Sequence, residues 1–252
     1  MEEQFNNIIN WIKNQENING CITGSCMLGY MDGEKQDVDV FAFDETAFTK
    51  LLYLLHFNPM FQLLDPIEKW KFKDWTENPY KGSLKKLGLI TIKFKYNLAI
   101  DVNIIFKEKS NNIFSVLSSF DMDIIAKGYD LRTKQYLDLS ENNGMIASWN
   151  KWNPAFYKPD IWKIGRVLRQ FQRVIKYHNR GYNTDLVTKK YIEILNDMLE
   201  YENIFNSLKV EEKVESVKKT SLILINIFNK WLETHSITKD ELILLDQTVK
   251  IL

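Results

Sequence analysis

The chain has 252 residues with 33 Lys+Arg against 33 Asp+Glu, so its formal charge at pH 7 is zero. This excludes a uniformly charged, polyanion-coating protein and leaves any charge-driven function to local asymmetry. A hydrophobic fraction of 45% beside 26% charged residues excludes disordered, collagen-like and disulfide-scaffold classes.

Phe5, Ile8, Ile9 and Ile12 recur at helical spacing and predict an opening amphipathic helix ending near Asn19-Gly20. From Cys21 to Phe43 the apolar residues alternate or run in short blocks around Asp32-Gly33-Glu34, which reads as strand, turn, strand. Asp44 is the expected N-cap of a helix through Phe48, Leu51, Leu52 and Leu55, stopped at Asn58-Pro59. Trp70 to Trp75 alternates as a strand would. Two β-rich runs follow, Leu87 to Lys95 and Leu98 to Phe106, with a hairpin expected at Tyr96-Asn97. A second β pair is expected at Asp123 to Tyr129 and Gln135 to Leu139, turning at Asp130 to Lys134. Beyond the loop Glu141 to Pro159 the pattern is helical, at about 160–180, 185–207, 211–234 and 237–251. The expected organisation is therefore a mixed α/β domain, 1–150, and an all-helical domain, 151–252.

The longest apolar runs, Leu51 to Leu55 and Leu222 to Phe228, fall short of the roughly 18 residues of a membrane span. The N-terminus lacks the basic-then-apolar layout of a secretion signal, so a cytoplasmic protein with no membrane partner is expected. Cys21 and Cys26 read as reduced, semi-buried thiols. The three histidines, His56, His178 and His235, are scattered, which argues against a histidine-built zinc site.

Three features carry the chemistry. Gly24-Ser25 ends the first strand; after eleven intervening residues comes Asp37-Val38-Asp39-Val40; and Asp101 stands alone in the apolar run Ile100-Asp101-Val102. Strand alternation puts Asp37 and Asp39 on one face, with Val38 and Val40 turned into the core. Adjacent carboxylates repel, so a cation is expected between them. Asp101 in an apolar strand requires a metal or a basic group to meet it. Oxygen-only ligands favour Mg²⁺ or Mn²⁺ over zinc, and a two-metal site suits phosphoryl displacement. Gly24 permits close approach of a phosphate, Ser25 supplies a hydroxyl, and a short helix at Cys26 to Tyr30 would add backbone amides. Taken singly, Gly-Ser is most often a turn and Asp-x-Asp most often solvated loop; the joint spacing is what distinguishes them here.

At Ile22-Thr23-Gly24-Ser25, Asp37-Val38-Asp39 and Asp101 the sequence resembles the DNA polymerase beta type nucleotidyltransferase superfamily. The resemblance covers about residues 20–106 by motif. It implies a nucleotidyltransferase-type mixed sheet with flanking helices followed by a helical domain, and Mg²⁺-dependent transfer of a nucleoside monophosphate from an NTP to a hydroxyl, with release of pyrophosphate. It further implies that Asp37, Asp39 and Asp101 are catalytic metal ligands, Asp101 also activating the acceptor hydroxyl, and that Gly24 and Ser25 hold the triphosphate. Phe120-Asp121-Met122-Asp123 and Lys176 to Tyr182 are similar to uncharacterised phage and large-DNA-virus nucleotidyltransferases, which would place the protein in host cytoplasm.

Arg166, Arg169, Arg173, Lys176 and Arg180 recur at 3-4-3-4 spacing along one side of the 161–180 helix, opposite Ile161, Ile164, Leu168, Phe171 and Ile175. Like charges at that spacing disfavour an isolated helix and invite a polyanion. The first four are assigned to nucleotide binding, and the stripe suggests an RNA partner, a tRNA end first. A solvated face neutralised elsewhere is the plain alternative, and Arg180-Gly181 also suits a helix C-terminus. The basic, aromatic stretch Lys69 to Lys95 admits single-strand stacking but fits one face of a sheet better. Protein side chains, small molecules and nucleotides themselves stand as other acceptors. A non-catalytic nucleotide- or nucleic-acid-binding protein on the same fold is the competing class, and a structural assembly component, suggested by the apolar C-terminal helices, a third.

Overall fold

The computed structural model describes residues 1–31, 36–64, 89–107, 110–120, 122–140, 171–200 and 211–251. The chain divides into two compact units, Met1–Phe120 with Ile125–Ser140, and Asp121–Ile124 with Glu141–Leu252.

In the first unit the order is α1 (Glu2–Lys13), β1 (Gly20–Thr23), a 3-10 turn (Ser25–Leu28), β2 (Asp37–Ala42), α2 (Glu45–His56), β3 (Phe61–Leu63), β4 (Leu89–Tyr96), β5 (Ile100–Lys107), α3 (Ile113–Leu117), β6 (Lys127–Asp130) and β7 (Tyr136–Asp138). The described strands form one sheet of seven in the order β3-β4-β5-β2-β1-β6-β7. The β2–β5 pair is parallel and the others antiparallel. This is the expected mixed sheet with flanking helices.

Alternation gives the sheet two unlike faces. Ile22, Val38, Val40, Val102, Ile104, Ile92 and Phe94 turn to one side and pack with Phe5, Ile8 and Ile12 of α1 and Phe48, Leu51, Leu52 and Leu55 of α2. Each such side chain, fully buried, contributes about 1.5–3 kcal/mol. On the other face Cys21, Phe41, Phe43, Ile105 and Val116 cluster with Ile113 and Phe120 at one end. The residues preceding these on the same face of their strands are Asp37 and Asp39 of β2 and Asp101 and Asn103 of β5.

Local chemistry sets several boundaries. Asp44 caps α2 by accepting from the Ala47 amide at 2.7 Å. The helix α1 stops at Lys13, earlier than the periodicity predicts, with Asn17 in the left-handed region before β1. Two short elements were not expected: β3, which pairs with β4, and α3, opened by the reciprocal Asn112–Ser115 capping box. Asp123 to Ile125, predicted as strand, is a 3-10 turn, and the Asp123 carboxylate accepts from the Ile124 amide. The predicted turn at Asp130 to Lys134 is built by Asp130, whose Oδ1 accepts from the Arg132 and Thr133 amides, both at 2.9 Å.

In the second unit the described helices are α4 (171–179), α5 (Asp185–Glu200), α6 (Glu211–Thr234) and α7 (Lys239–Ile251). Phe171 stacks on Phe228 with ring centroids 3.9 Å apart and meets Trp231 edge-on, and Tyr191 also reaches Phe228. No described helix is long and apolar enough to cross a membrane.

Candidate active site

The two aspartates of β2 lie on the face opposite its valines and are half-buried. Parallel pairing puts Asp37 in register with Asp101 and Asp39 in register with Asn103, and neighbouring strands run about 4.8 Å apart. The carboxylates of Asp37, Asp39 and Asp101 therefore crowd one face of two adjacent strands. Asn103 answers part of that crowding: its Nδ2 donates to Asp37 Oδ2 at 3.1 Å and to Asp39 Oδ1 at 2.8 Å. Each such bond to a charged group is worth about 1.5–3 kcal/mol. An uncharged amide thus bridges the pair.

Asp101 is met by a basic group, as its apolar strand demanded. Lys95 of β4 stands directly across from it and its Nζ lies 2.7 Å from Asp101 Oδ1.

Gly24 closes the other side of the aspartate pair. It has φ 89° and ψ −156°, a region essentially reserved for glycine. A Cβ there would stand 2.9 Å from Asp39 Oδ2. Thr23, just before it, pairs with Asp39 across β1–β2 and is fully buried with its hydroxyl on the Lys127 carbonyl at 2.6 Å. Ser25, half-buried, opens the 3-10 turn, which is shorter and earlier than the helix expected at Cys26 to Tyr30. Cys26 donates its thiol to the Thr23 carbonyl at 3.1 Å. Burial first, then the neighbouring Asp39, pushes this thiol far above its ordinary range. Buried Gln36 ties the chain entering β2 back to the turn, donating to the Gly29 carbonyl at 2.9 Å and accepting from the Met31 amide at 2.7 Å.

Among the described residues no three His, Cys, Asp or Glu side chains converge tightly enough to hold a metal as they stand. The donor chemistry nonetheless fits a hard divalent cation: Asp37 and Asp39 offer carboxylate oxygens on one face, and Asp101 lies in register one strand away. Asn103 and Lys95 escaped the sequence reading. Asn103 was signalled by its position two beyond Asp101, which puts both on one face.

Of the basic stripe, Arg166 and Arg169 lie outside the described residues, as do the aromatics Trp70 to Tyr80. Arg173 and Lys176 lie on α4, both half-buried. The buried face of the described part is Phe171, Val174 and Tyr177; Phe171 is buried as expected, whereas Ile175 is only half-buried and Val174 takes its place. Arg180-Gly181 takes the structural role considered for it. Gly181 has φ 85°, its amide donates to the His178 carbonyl and the Tyr182 amide to the Tyr177 carbonyl, a Schellman-type end. Arg180 stacks over the Tyr177 ring at 5.5 Å.

No protein-family model and no curated protein matches the chain. Among solved structures it is similar to the Thermotoga maritima CCA-adding enzyme complexed with tRNA_CCA, at 14% identity and TM-score 0.44, over 94% of this chain and 62% of that one. It is also similar to a tRNA-processing enzyme in apo form I, at 12% identity and TM-score 0.45, over 88% of this chain and 62% of that one. The chain thus spans 62% of the length of each.

Proposed function

We propose that the chain is a nucleotidyltransferase of the DNA polymerase beta type, moving a nucleoside monophosphate from an NTP to a hydroxyl with release of pyrophosphate. The observation that carries this reading is the register: Asp37 and Asp39 on one face of β2, Asp101 opposite Asp37, and a glycine at position 24 whose backbone lies against Asp39.

In this reading Asp37 and Asp39 hold Mg²⁺ or Mn²⁺, with Asp101 as the third ligand. The cation neutralises triphosphate charge and lowers the barrier to in-line attack at the α-phosphorus. Asp101 takes the proton of the acceptor hydroxyl. Gly24, lacking a side chain, leaves its amide open to the phosphates, and the Ser25 hydroxyl bonds to them. Asn103 keeps the two β2 carboxylates in a fixed mutual geometry, the kind of preorganisation from which such catalysis draws most of its power. The acceptor we favour is an RNA end, a tRNA end first, with Arg173 and Lys176 among the residues that would meet phosphates; this part rests on the basic stripe of the sequence.

The test is direct. Purified protein with Mg²⁺, each α-labelled NTP in turn, and total RNA or cell lysate should give a labelled product. Asp37→Asn combined with Asp39→Asn should abolish it; label transfer that survives both substitutions rules the site out.

A further inference from the structure

One row of residues crosses four strands on the same face of the sheet: Gln62 of β3, Lys95 of β4, Asp101 of β5 and Asp37 of β2, each in register with the next. Lys95 is the only one of the four carrying positive charge, and its ammonium lies 2.7 Å from the buried Oδ1 of Asp101. A divalent cation using Asp101 must approach the same carboxylate. Two cations cannot share one partly buried carboxylate at such range without strong repulsion. Lys95 also lines a shallow cavity of about 300 Å³ with Pro59, Met60, Gln62, Asn97 and Leu98. Its four-carbon stem therefore has open space beside the ion pair into which the ammonium can swing.

The geometry points to Lys95 as a positioning residue that competes with the divalent cation for Asp101. When its ammonium sits on Asp101 the third carboxylate is held in place but denied to the metal. When it swings toward the cavity, where a phosphate of the acceptor would be its natural partner, Asp101 becomes available. Lys95 thereby makes metal use of Asp101 weak until an anion draws the ammonium away. The inference rests on the nucleotidyl-transfer reading of the three aspartates and adds to it a residue outside the Gly24-Ser25, Asp37-Val38-Asp39 and Asp101 pattern.

Mn²⁺ binding to the full-length chain, read by the EPR signal of the free ion, tests it without any turnover. The wild type should show an Asp101-dependent class of Mn²⁺ binding, removed by Asp101→Asn. Lys95→Met should tighten that class by tenfold or more, and Lys95→Gln, which also removes the charge but keeps a polar side chain, should act in the same direction and serves as the test should the methionine variant fail to fold. Lys95→Arg, which keeps the charge, should remain close to wild type. A Lys95→Met and Lys95→Gln pair that binds Mn²⁺ no more tightly than wild type overturns the role of Lys95 while leaving the metal site standing. If instead Asp37→Asn with Asp39→Asn leaves Mn²⁺ binding unchanged, the site assignment itself fails, and the inference with it.

Discussion

Gly24 and Asp39 are in contact without a side chain between them: a Cβ at position 24 would lie 2.9 Å from Asp39 Oδ2. The glycine is there for two separate reasons, its backbone angles and the space its neighbour occupies.

Gly24→Ala should therefore cost both stability and function. The strained backbone alone is worth about 1–3 kcal/mol, and the added methyl must push the Asp39 carboxylate away from Asn103. Denaturant unfolding should show the stability loss, and label transfer should fall further than the lost folded fraction explains. Unfolding midpoint and transfer rate equal to wild type would contradict the close approach.

Asn103→Asp replaces the bridging amide with another carboxylate. Losing the donor to Asp37 and Asp39 should destabilise the chain by about 1.5–3 kcal/mol in EDTA, with added repulsion among the acidic groups. Excess Mg²⁺ should restore much of the loss, because a cation bound only by the folded state stabilises it by mass action. Unfolding curves with EDTA and with Mg²⁺ measure both effects. A variant as stable as wild type in EDTA would show that the amide bridge carries no weight.

The second unit should weaken in mild acid through His178. Its ring stacks on His235 at 4.6 Å, and burial, then His235, hold its pKa below the ordinary 6.5; Asp185 opposes them. With the folded pKa depressed, the unfolded chain binds the proton more readily. Stability is then full above about pH 6.5 and declines as pH falls from there toward the depressed folded value. Thermal melts between pH 7.5 and 5 should show this decline, and His178→Gln should flatten it. An identical pH profile in the variant would assign the decline to other groups.

Cys26 should be inert in the native state. It is buried, donates to the Thr23 carbonyl and lies beside Asp39, so little thiolate exists near neutral pH. Cys21 is buried likewise, and both thiols are free. Labelling by a thiol reagent should be slower than in denaturant by on the order of a hundredfold or more. Rapid native labelling of either cysteine would contradict the packing around β1.

Glu241 should matter near neutral pH and cease to matter in acid. It accepts from Lys230 at 2.7 Å and from the Thr238 amide at 2.7 Å at the start of α7, and Lys230 first, then Thr238, lowers its pKa from 4.5 to about 2. Its contribution is fully present above about pH 4.5 and is lost as pH falls through about 2. The stability difference between wild type and Glu241→Gln should shrink over that window in acid titration.

Much of the fold is legible in the residues because it follows local rules. The period-2 alternation of Asp37-Val38-Asp39-Val40 by itself puts both carboxylates on one face and both valines in the core. Asp44 announces its helix through the geometry of an N-cap, and Arg180-Gly181 ends one through the left-handed conformation that glycine accepts. The Gly-Ser, Asp-x-Asp and lone Asp101 pattern is likewise legible as spacing, and the superfamily it resembles implies that the three aspartates share one site.

What spacing could not supply is register. A two-residue hairpin at Tyr96-Asn97 would set Asp101 opposite Ile92; the actual loop is Asn97–Ala99, with Asn97 and Leu98 both at positive φ, and it sets Asp101 opposite Lys95. One residue more in the loop thus moves the register by three positions on β4 and decides whether the third carboxylate faces an apolar neighbour or a cation. The parallel pairing of β2 with β5, which lines up Asp37 with Asp101 and places Asn103 beside Asp39, depends on strands distant in sequence. So does the stacking of His178 on His235, two residues that looked scattered along the chain. Local stereochemistry chooses the residue types and the faces; only the packing of remote strands and helices decides which charges meet.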